Sequence, residues 1–297
     1  MSVRPLIIMQ LLLAVLPTVV QATSFSEVVA QAEKQHWRPI DAENTLYLQL
    51  PQGRVVIELA PEFAPNHVAN IKTLAQQGYY DGLAIVRSHD NYVVQWADPN
   101  ADTALAKTLG VAKVKLAAEY WQKYPSNFEF TVLPDHDGYA PEVGFSKGFT
   151  AGRDEKSQTT WLTHCYGAVG VSRDVADDSG NGSSLYVVTG HAPRHLDRNI
   201  TVVGRVVLGM ELLSTLPRGN GPLGFYQDPA SYTPLISVIH AATLPISEQL
   251  KLEVLRSDSK LFERAVESLR NRSGPWYKRP AGYVGLCNIP VPIRQQP

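Results

Sequence analysis

Apolar and polar residues alternate strictly at the start of the central region. In residues 45–50, Leu46, Leu48 and Leu50 alternate with polar or amphipathic neighbours. In residues 54–59, Val55, Ile57 and Leu59 do the same, with Pro51-Gln52-Gly53 between the two runs. A period of two around a turn predicts a β-hairpin. Shorter apolar runs predict strands at 83–86, 92–96, 166–172, 184–189, 201–207 and 235–240. Helical spacing is rarer. Residues 24–35 predict a short amphipathic helix capped by Ser26, with Val28, Val29 and Ala32 on one face. Pro65 opens a second helix that buries Val68, Ile71, Leu74 and Ala75 and stops at Gly78. Residues 210–216 predict a third, ended by Pro217.

Between 98 and 163 the rhythm blurs. Residues 101–113 are rich in Ala and Lys and predict partial helix, and Asp135-His-Asp-Gly138 predicts a turn. With no long strand in view, this stretch reads as a surface insertion. Beyond 245 the texture changes again. Residues 246–272 read as helical, with Leu250, Val254, Leu261, Ala265 and Leu269 on a stripe. A break falls at Ser257-Asp258-Ser259, and Asp258 or Ser259 caps the second half. Residues 274–297 are rich in Pro and aromatics and read as extended along the surface. The pattern therefore predicts a mainly β domain over 43–245, interrupted by an insertion at about 99–163. A helical segment precedes it at 23–42, and a helical extension and tail follow at 246–297. Alternation with turns argues for an antiparallel barrel or sandwich.

Composition narrows the function. The 27 Lys+Arg and 28 Asp+Glu give a net charge of −1, which supplies no strong pull toward nucleic acid or anionic membrane. A hydrophobic fraction of 44% is ample for a packed core. The two Cys exclude a disulfide-dense scaffold and a four-Cys zinc site. Residues 6–20 are almost wholly apolar, follow Arg4 and precede Val20-Gln21-Ala22. That is the pattern of a secretory signal peptide cleaved after Ala22. The rival reading, a membrane anchor, is disfavoured because the run falls short of the roughly 20 residues a membrane helix needs. The expectation is an exported protein, periplasmic in location, with no stable membrane insertion after cleavage. Export permits a bridge between Cys165 and Cys287. Two unpaired buried thiols are the equal alternative.

The residues from Gly53 to Asp98 resemble the cyclophilin family of peptidyl-prolyl isomerases. The pieces are Gly53-Arg-Val-Val-Ile-Glu-Leu59, Ala64-Pro65 with Val68 and Asn70, Gly78-Tyr-Tyr-Asp-Gly82, Val86-Arg87, Asn91-Tyr-Val-Val-Gln95 and Asp98-Pro99. Later pieces follow in the same order: Glu119-Tyr120, Gly167-Ala-Val-Gly-Val-Ser-Arg173, Asn181-Gly-Ser-Ser-Leu-Tyr-Val187, Leu196-Asp197 and Val202-Val-Gly-Arg-Val-Val207 with Gly209-Met210. The likeness is strongest to bacterial exported members. It implies an eight-stranded antiparallel β-barrel capped by helices, here with an insertion and a C-terminal helical extension.

It also implies a chemistry. Peptide rotation has a barrier of about 18–20 kcal/mol because the C–N bond is partly double. A catalyst needs no covalent step; it must bind the twisted amide better than the planar one. By resemblance Arg87 is the catalytic residue, because a guanidinium can donate to the prolyl nitrogen or the preceding carbonyl. Tyr92, Val93, Tyr186 and Leu196 match the proline pocket. Gln95 matches the residue that orients the arginine, and Ser172 and Arg173 match backbone-binding positions. Ser184 and His195 complete the set. Several positions depart from the family pattern. Tyr92 and Tyr186 stand where Phe is usual, which implies a more polar rim. Ser184 replaces a Gln, Ile200 replaces a His or Tyr, and Val86 replaces a frequent His. Substrates would be proline-containing unfolded or flexible polypeptides, bound by a monomer without cofactor, metal or nucleic acid. The alternative is a proline-segment chaperone or assembly factor with little turnover.

Other motifs are weaker. Gly219-Asn-Gly-Pro-Leu-Gly224 fits a phosphate-cradle spacing but follows a helix and a proline instead of opening a helix. His191 and His195 have Pro193 between them and read as turn residues. Ser88-His89-Asp90 are consecutive and cannot form a triad by adjacency. His164-Cys165 suggests a thiol nucleophile, but a structural cysteine is the better reading.

Overall fold

The computed structural model describes residues 24–296, so the signal-like segment at 1–22 lies outside the described residues. The predicted hairpin forms as Thr45–Leu50 against Gly53–Leu59, with Thr45 opposite Glu58 and Leu50 opposite Gly53. Its alternating Leu46, Leu48, Leu50, Val55, Ile57 and Leu59 enter one core, as the period of two requires. The sheet continues through Val202–Leu208, Ala168–Val171, Leu185–Val188 and Val93–Ala97 to Ala84–Ser88, with every neighbour antiparallel.

A single stretch then joins the two edges. Thr233–Pro234 pairs with Ala84–Ser88, and Ser237–His240 pairs with Thr45–Leu50. Between them the Leu235 N–H donates to the Leu83 carbonyl (2.8 Å) and the Ile236 N–H to the Gln49 carbonyl (2.9 Å). Counting that stretch once, eight strands curl into an antiparallel barrel, and few helices accompany it. Helix Pro65–Gln76 packs on the same core with Val68, Ile71, Leu74 and Ala75 buried. Met210–Ser214 adds Leu213.

The insertion is not featureless. Residues 122–162 form a five-stranded antiparallel sheet in the order Gln122–Lys123, Thr159–Leu162, Phe149–Asp154, Glu142–Ser146 and Thr131–Leu133. Its alternation is interrupted by glycines that tight packing demands. A Cβ on Gly144 would sit 2.1 Å from the Thr131 carbonyl oxygen, and one on Gly152 2.5 Å from the Trp161 ring. Residues 101–113, expected to be partly helical, contain no helix. Side chains claim the backbone groups a helix would use. The Lys107 N–H donates to Asp98 and the Lys113 N–H to Asn70, while Gln77 and Asn70 donate to the carbonyls of Leu109 and Lys113.

The C-terminal expectation is half right. Lys260–Arg270 is a helix capped by the Ser259 hydroxyl. Its predicted first half is instead a short 3₁₀ turn, Ile246–Glu248, and a strand, Leu252–Leu255. That strand lies between Trp37–Pro39 and Ile293–Gln295, which are remote in sequence, so tertiary pairing overrides the helical spacing. The tail is not simply laid along the surface, because Val284, Leu286 and Ile289 are buried. The first helix is shorter than predicted, Phe25–Val29. Ser24 caps it instead of Ser26, because Glu27 closes a capping box with Ser24.

These pieces share a second core. Val28 from the N-terminal helix, Phe145 and Trp161 from the insertion, and Phe262, Ala265 and Leu286 from the C-terminal segment pack together. Cys165 and Cys287 are bridged at the edge of this core, with Cα atoms 5.0 Å apart, so the two thiols are not free. A third cluster joins the insertion to the barrel. Phe149, Ala151 and Leu162 pack against Val93, Tyr186 and Val188. The insertion therefore backs the wall that carries the predicted proline pocket.

Candidate active site

Arg87 lies on Ala84–Ser88, where the register against Val93–Ala97 shifts between Ile85 and Arg87. Such a bulge bends the strand and re-aims the next side chain. The Arg87 guanidinium is held on three sides. Its Nε–H donates to the Leu223 carbonyl (2.7 Å), Nη1 to Gln95 Oε1 (3.1 Å) and Nη2 to His89 Nδ1 (3.1 Å). An arginine has five N–H donors, so two remain for a ligand. The guanidinium carbon also lies 5.7 Å from the Tyr92 ring centroid and 5.2 Å from that of Phe225. Burial lowers the Arg87 pKa from its ordinary value, and the nearby Tyr92 and Tyr186 oppose that shift.

Gln95 is positioned in turn. Its Nε2 donates to Ser184 Oγ (3.2 Å), whose hydroxyl donates to the Trp96 carbonyl (3.0 Å). Ser184 thus does more than lose a glutamine contact: its short side chain anchors the arginine's orienting partner.

Arg87 opens onto a groove of about 650 Å³. Tyr92, Val93, Tyr186, Leu196 and Ile200 give it apolar wall, and Ser172, Arg173 and Ser184 line its polar side. The structure thus brings together nine of the ten sequence-predicted residues. The exception is His195, which is exposed and stacks on Tyr92 at 6.5 Å with the rings 4° from parallel. It supports the pocket wall from outside. Arg173 lines the groove, but its guanidinium already donates to the carbonyls of Asn199, Asp174 and Val175. The Ser172 hydroxyl is buried without a partner among the described residues.

The expectation of a more polar rim fails at Tyr186. This residue is 5% exposed and its hydroxyl points inward, donating to His164 Nε2 (2.9 Å). His164 Nδ1–H donates to Asp197 Oδ1 (2.9 Å). Arg194 donates to Asp197 through Nε and forms a two-pronged pair with Asp137 at 2.9 and 3.0 Å. Burial raises the Tyr186 pKa well above the ordinary tyrosine value, assisted by Tyr92 and Asp197, so the phenol stays protonated and donating. Only its ring is offered to the groove.

Sequence reasoning missed His164, Asp137, Arg194, Leu223 and Phe225. Motif order named Leu196-Asp197 but gave no sign that Asp197 would pair with His164. A second cavity, of about 300 Å³, lies at the seam beside Cys165, Cys287 and Arg205. Its arginine is spent on Glu58 and the Gly148 carbonyl, so it offers no free cation. Among the described residues no three His, Cys, Asp or Glu side chains converge as a metal site.

Comparison with known proteins bears on this geometry. Residues 45–231 match the family model for the cyclophilin type peptidyl-prolyl cis-trans isomerase. The chain is 29% identical over 180 residues to a probable peptidyl-prolyl cis-trans isomerase of Brucella suis, covering 61% of this chain and 74% of that protein. The corresponding Brucella abortus protein is 28% identical over the same length. In fold it is similar to the cyclophilin AquaCyp293 of Hirschia baltica, with a TM-score of 0.70 at 24% identity. That likeness covers 91% of this chain and 96% of the other, so it extends beyond the barrel to the added segments.

The chain therefore belongs to the cyclophilin-type peptidyl-prolyl cis-trans isomerases. It is a member with a bridged second core built from segments before, within and after the isomerase domain.

Proposed function

We propose that this isomerase acts on X-Pro bonds by holding the proline ring against Tyr92, Val93, Tyr186 and Leu196 while Arg87 donates to the rotating amide. The planar amide nitrogen has its lone pair committed to resonance; on twisting, that pair becomes an acceptor. A donor fixed beforehand favours the twisted state over the planar one, and that difference is what lowers the barrier. The observation that carries this reading is Arg87 tied at Nε, Nη1 and Nη2 beside an apolar wall, with two N–H groups left over. No proton is transferred and no bond is made or broken.

The clients are proline-containing unfolded or flexible segments of exported proteins, and the chain works as a monomer in the periplasm. The signal-like run at 6–20 and the bridge between Cys165 and Cys287 support an oxidising compartment. Residues 43–245 carry the activity, and the remaining segments buttress the pocket wall.

A proline-isomerisation assay on a short peptide, wild type against Arg87→Ala, tests the proposal; equal rates would sink it. The second reading is a proline-segment chaperone of low turnover, favoured by Ile200, which puts an apolar side chain in the groove lining where the family pattern has a polar one. Turnover near background, with suppressed aggregation of an unfolded client, would select that reading instead.

A further inference from the structure

The glycine-rich stretch Gly219-Asn-Gly-Pro-Leu-Gly224 ends in a single 3₁₀ turn, Pro222–Gly224, instead of opening an α-helix, and it runs beside the strand that carries Arg87. The Gly219 N–H donates to the Ser88 carbonyl (2.9 Å) and the Tyr226 N–H to the Val86 carbonyl (3.0 Å). Phe225 bridges Arg87 on the side away from Gln95. Each glycine is needed for close approach. A Cβ on Gly219 would sit 1.9 Å from the Gly224 carbonyl oxygen, on Gly221 2.8 Å from the Phe225 carbonyl oxygen, and on Gly224 2.4 Å from the His89 Cα. Between them Leu223 is left-handed, at φ 56 and ψ 19. A residue with a Cβ avoids that region unless its surroundings impose it. The consequence of the turn is specific: it presents the Leu223 carbonyl to the Arg87 Nε–H at 2.7 Å.

We infer that residues 219–225 form a positioning loop for the reaction, in which the left-handed turn at Leu223 supplies the backbone carbonyl that orients the Arg87 guanidinium. The inference rests on the reading of Arg87 as the catalytic group. Gln95 and His89 hold the two Nη atoms and Leu223 holds Nε, so the guanidinium plane is fixed by three neutral acceptors, two from its own hairpin and one from the remote 219–225 loop. Without the third, the plane is free to swing about the remaining two. The two ligand-facing N–H groups would then lose their aim while the proline pocket stays intact. The loop's effect should therefore fall on turnover and not on peptide binding.

The test compares Gly224→Ala, Leu223→Pro and Leu223→Gly with wild type and Arg87→Ala. Each is assayed on a short X-Pro peptide, with kcat and KM resolved and folding checked by thermal unfolding. Gly224→Ala forces the loop off His89, and Leu223→Pro cannot adopt a positive φ. In either variant kcat should fall roughly 10- to 100-fold, the scale set by misplacing a catalytic group by about 1 Å, with KM within about twofold of wild type. Leu223→Gly keeps the turn and the carbonyl without the side chain, and should lose several-fold less. Folded Gly224→Ala and Leu223→Pro proteins with wild-type kcat, beside an inactive Arg87→Ala, would overturn the loop's role alone. So would a Leu223→Gly variant as impaired as Leu223→Pro, because the side chain would then be what matters. Full activity in Arg87→Ala would instead remove the catalytic reading on which the inference stands. If Gly224→Ala fails to fold, Leu223→Pro decides, since it removes no hydrogen bond found at the Leu223 N–H.

Discussion

Two arginines, Arg87 beside the groove and Arg194 in the buried network that ends on the Tyr186 hydroxyl, show how the same side chain serves two ends. Arg87 faces the groove and Arg194 lies in the floor behind it. All three acceptors of Arg87 are neutral: a carbonyl, an amide oxygen and an imidazole nitrogen. Arg194 is 6% exposed and is gripped by the carboxylates of Asp137 and Asp197. Burial lowers the pKa of both guanidinium groups. At Arg194 the two carboxylates more than offset it, and the pKa stands above its ordinary value. At Arg87 the offset is incomplete and the pKa stands below it. A cation whose charge is already compensated can only hold structure. A cation fixed by neutral dipoles keeps its field for a ligand. On the proposed reading, the surroundings alone mark Arg194 as a structural arginine and Arg87 as one left to act on a ligand.

That contrast can be broken from either side. The largest effect is expected behind the pocket. Replacing Cys165 and Cys287 together by Ser frees a span of 122 residues, for which chain entropy alone gives about 4–5 kcal/mol. Denaturant unfolding should show most of that loss. Arg194→Ala leaves the buried Asp197 and the half-buried Asp137 without their cation and should cost about 3–5 kcal/mol of stability by the same measurement. Per molecule still folded, its turnover should change far less. Arg87→Ala should invert the pattern. Its kcat/KM should fall roughly 10²–10³-fold, the loss typical of removing one fixed donor, while stability stays within about 1 kcal/mol. Matching stability losses at Arg87 and Arg194 would erase the distinction.

Tyr186→Phe probes the hydroxyl that ties the groove wall to the Arg194 network. It leaves His164 Nε2 without its donor and should destabilise by about 1–3 kcal/mol. Turnover should remain within a fewfold of wild type, because the hydroxyl faces away from the groove. Its titration has a defined sign. The native phenol holds its proton well above pH 10, whereas the unfolded one loses it near pH 10. The unfolded state therefore binds fewer protons above that pH, and stability falls as pH rises. Tyr186→Phe should remove one proton from that slope, about 1.4 kcal/mol per pH unit. Ser172→Ala is the smallest change. Its buried hydroxyl has no partner among the described residues, so stability should hold or rise slightly. Because the buried hydroxyl is out of reach of a peptide, KM should stay within about twofold of wild type, measured with the same peptide.

Much of the barrel was legible in advance. The alternation of Leu46, Leu48 and Leu50 with Val55, Ile57 and Leu59 names both the hairpin and its buried face, because a strand's two faces are encoded locally. The motifs around Arg87, Tyr92, Gln95 and Tyr186 were equally readable as pieces. What those residues touch was not. The inward turn of the Tyr186 hydroxyl depends on His164, and the aim of Arg87 depends on Leu223, which is 136 residues away. The stripe at Leu250 and Val254 was misread because helical spacing within one segment says nothing about strands arriving from Trp37–Pro39 and Ile293–Gln295.

By itself the sequence determined the strands that report their own buried face, the helix opened by Pro65, and the order of the isomerase motifs. These are local properties, set by periodicity and backbone restriction over a few residues. The tertiary structure alone decided that the N-terminal helix, insertion and tail share one core, and that Cys165 meets Cys287. It also decided which of two arginines keeps an uncompensated charge. Apolar faces and polar donors state only what they need, and which distant segment meets that need depends on how the whole chain packs.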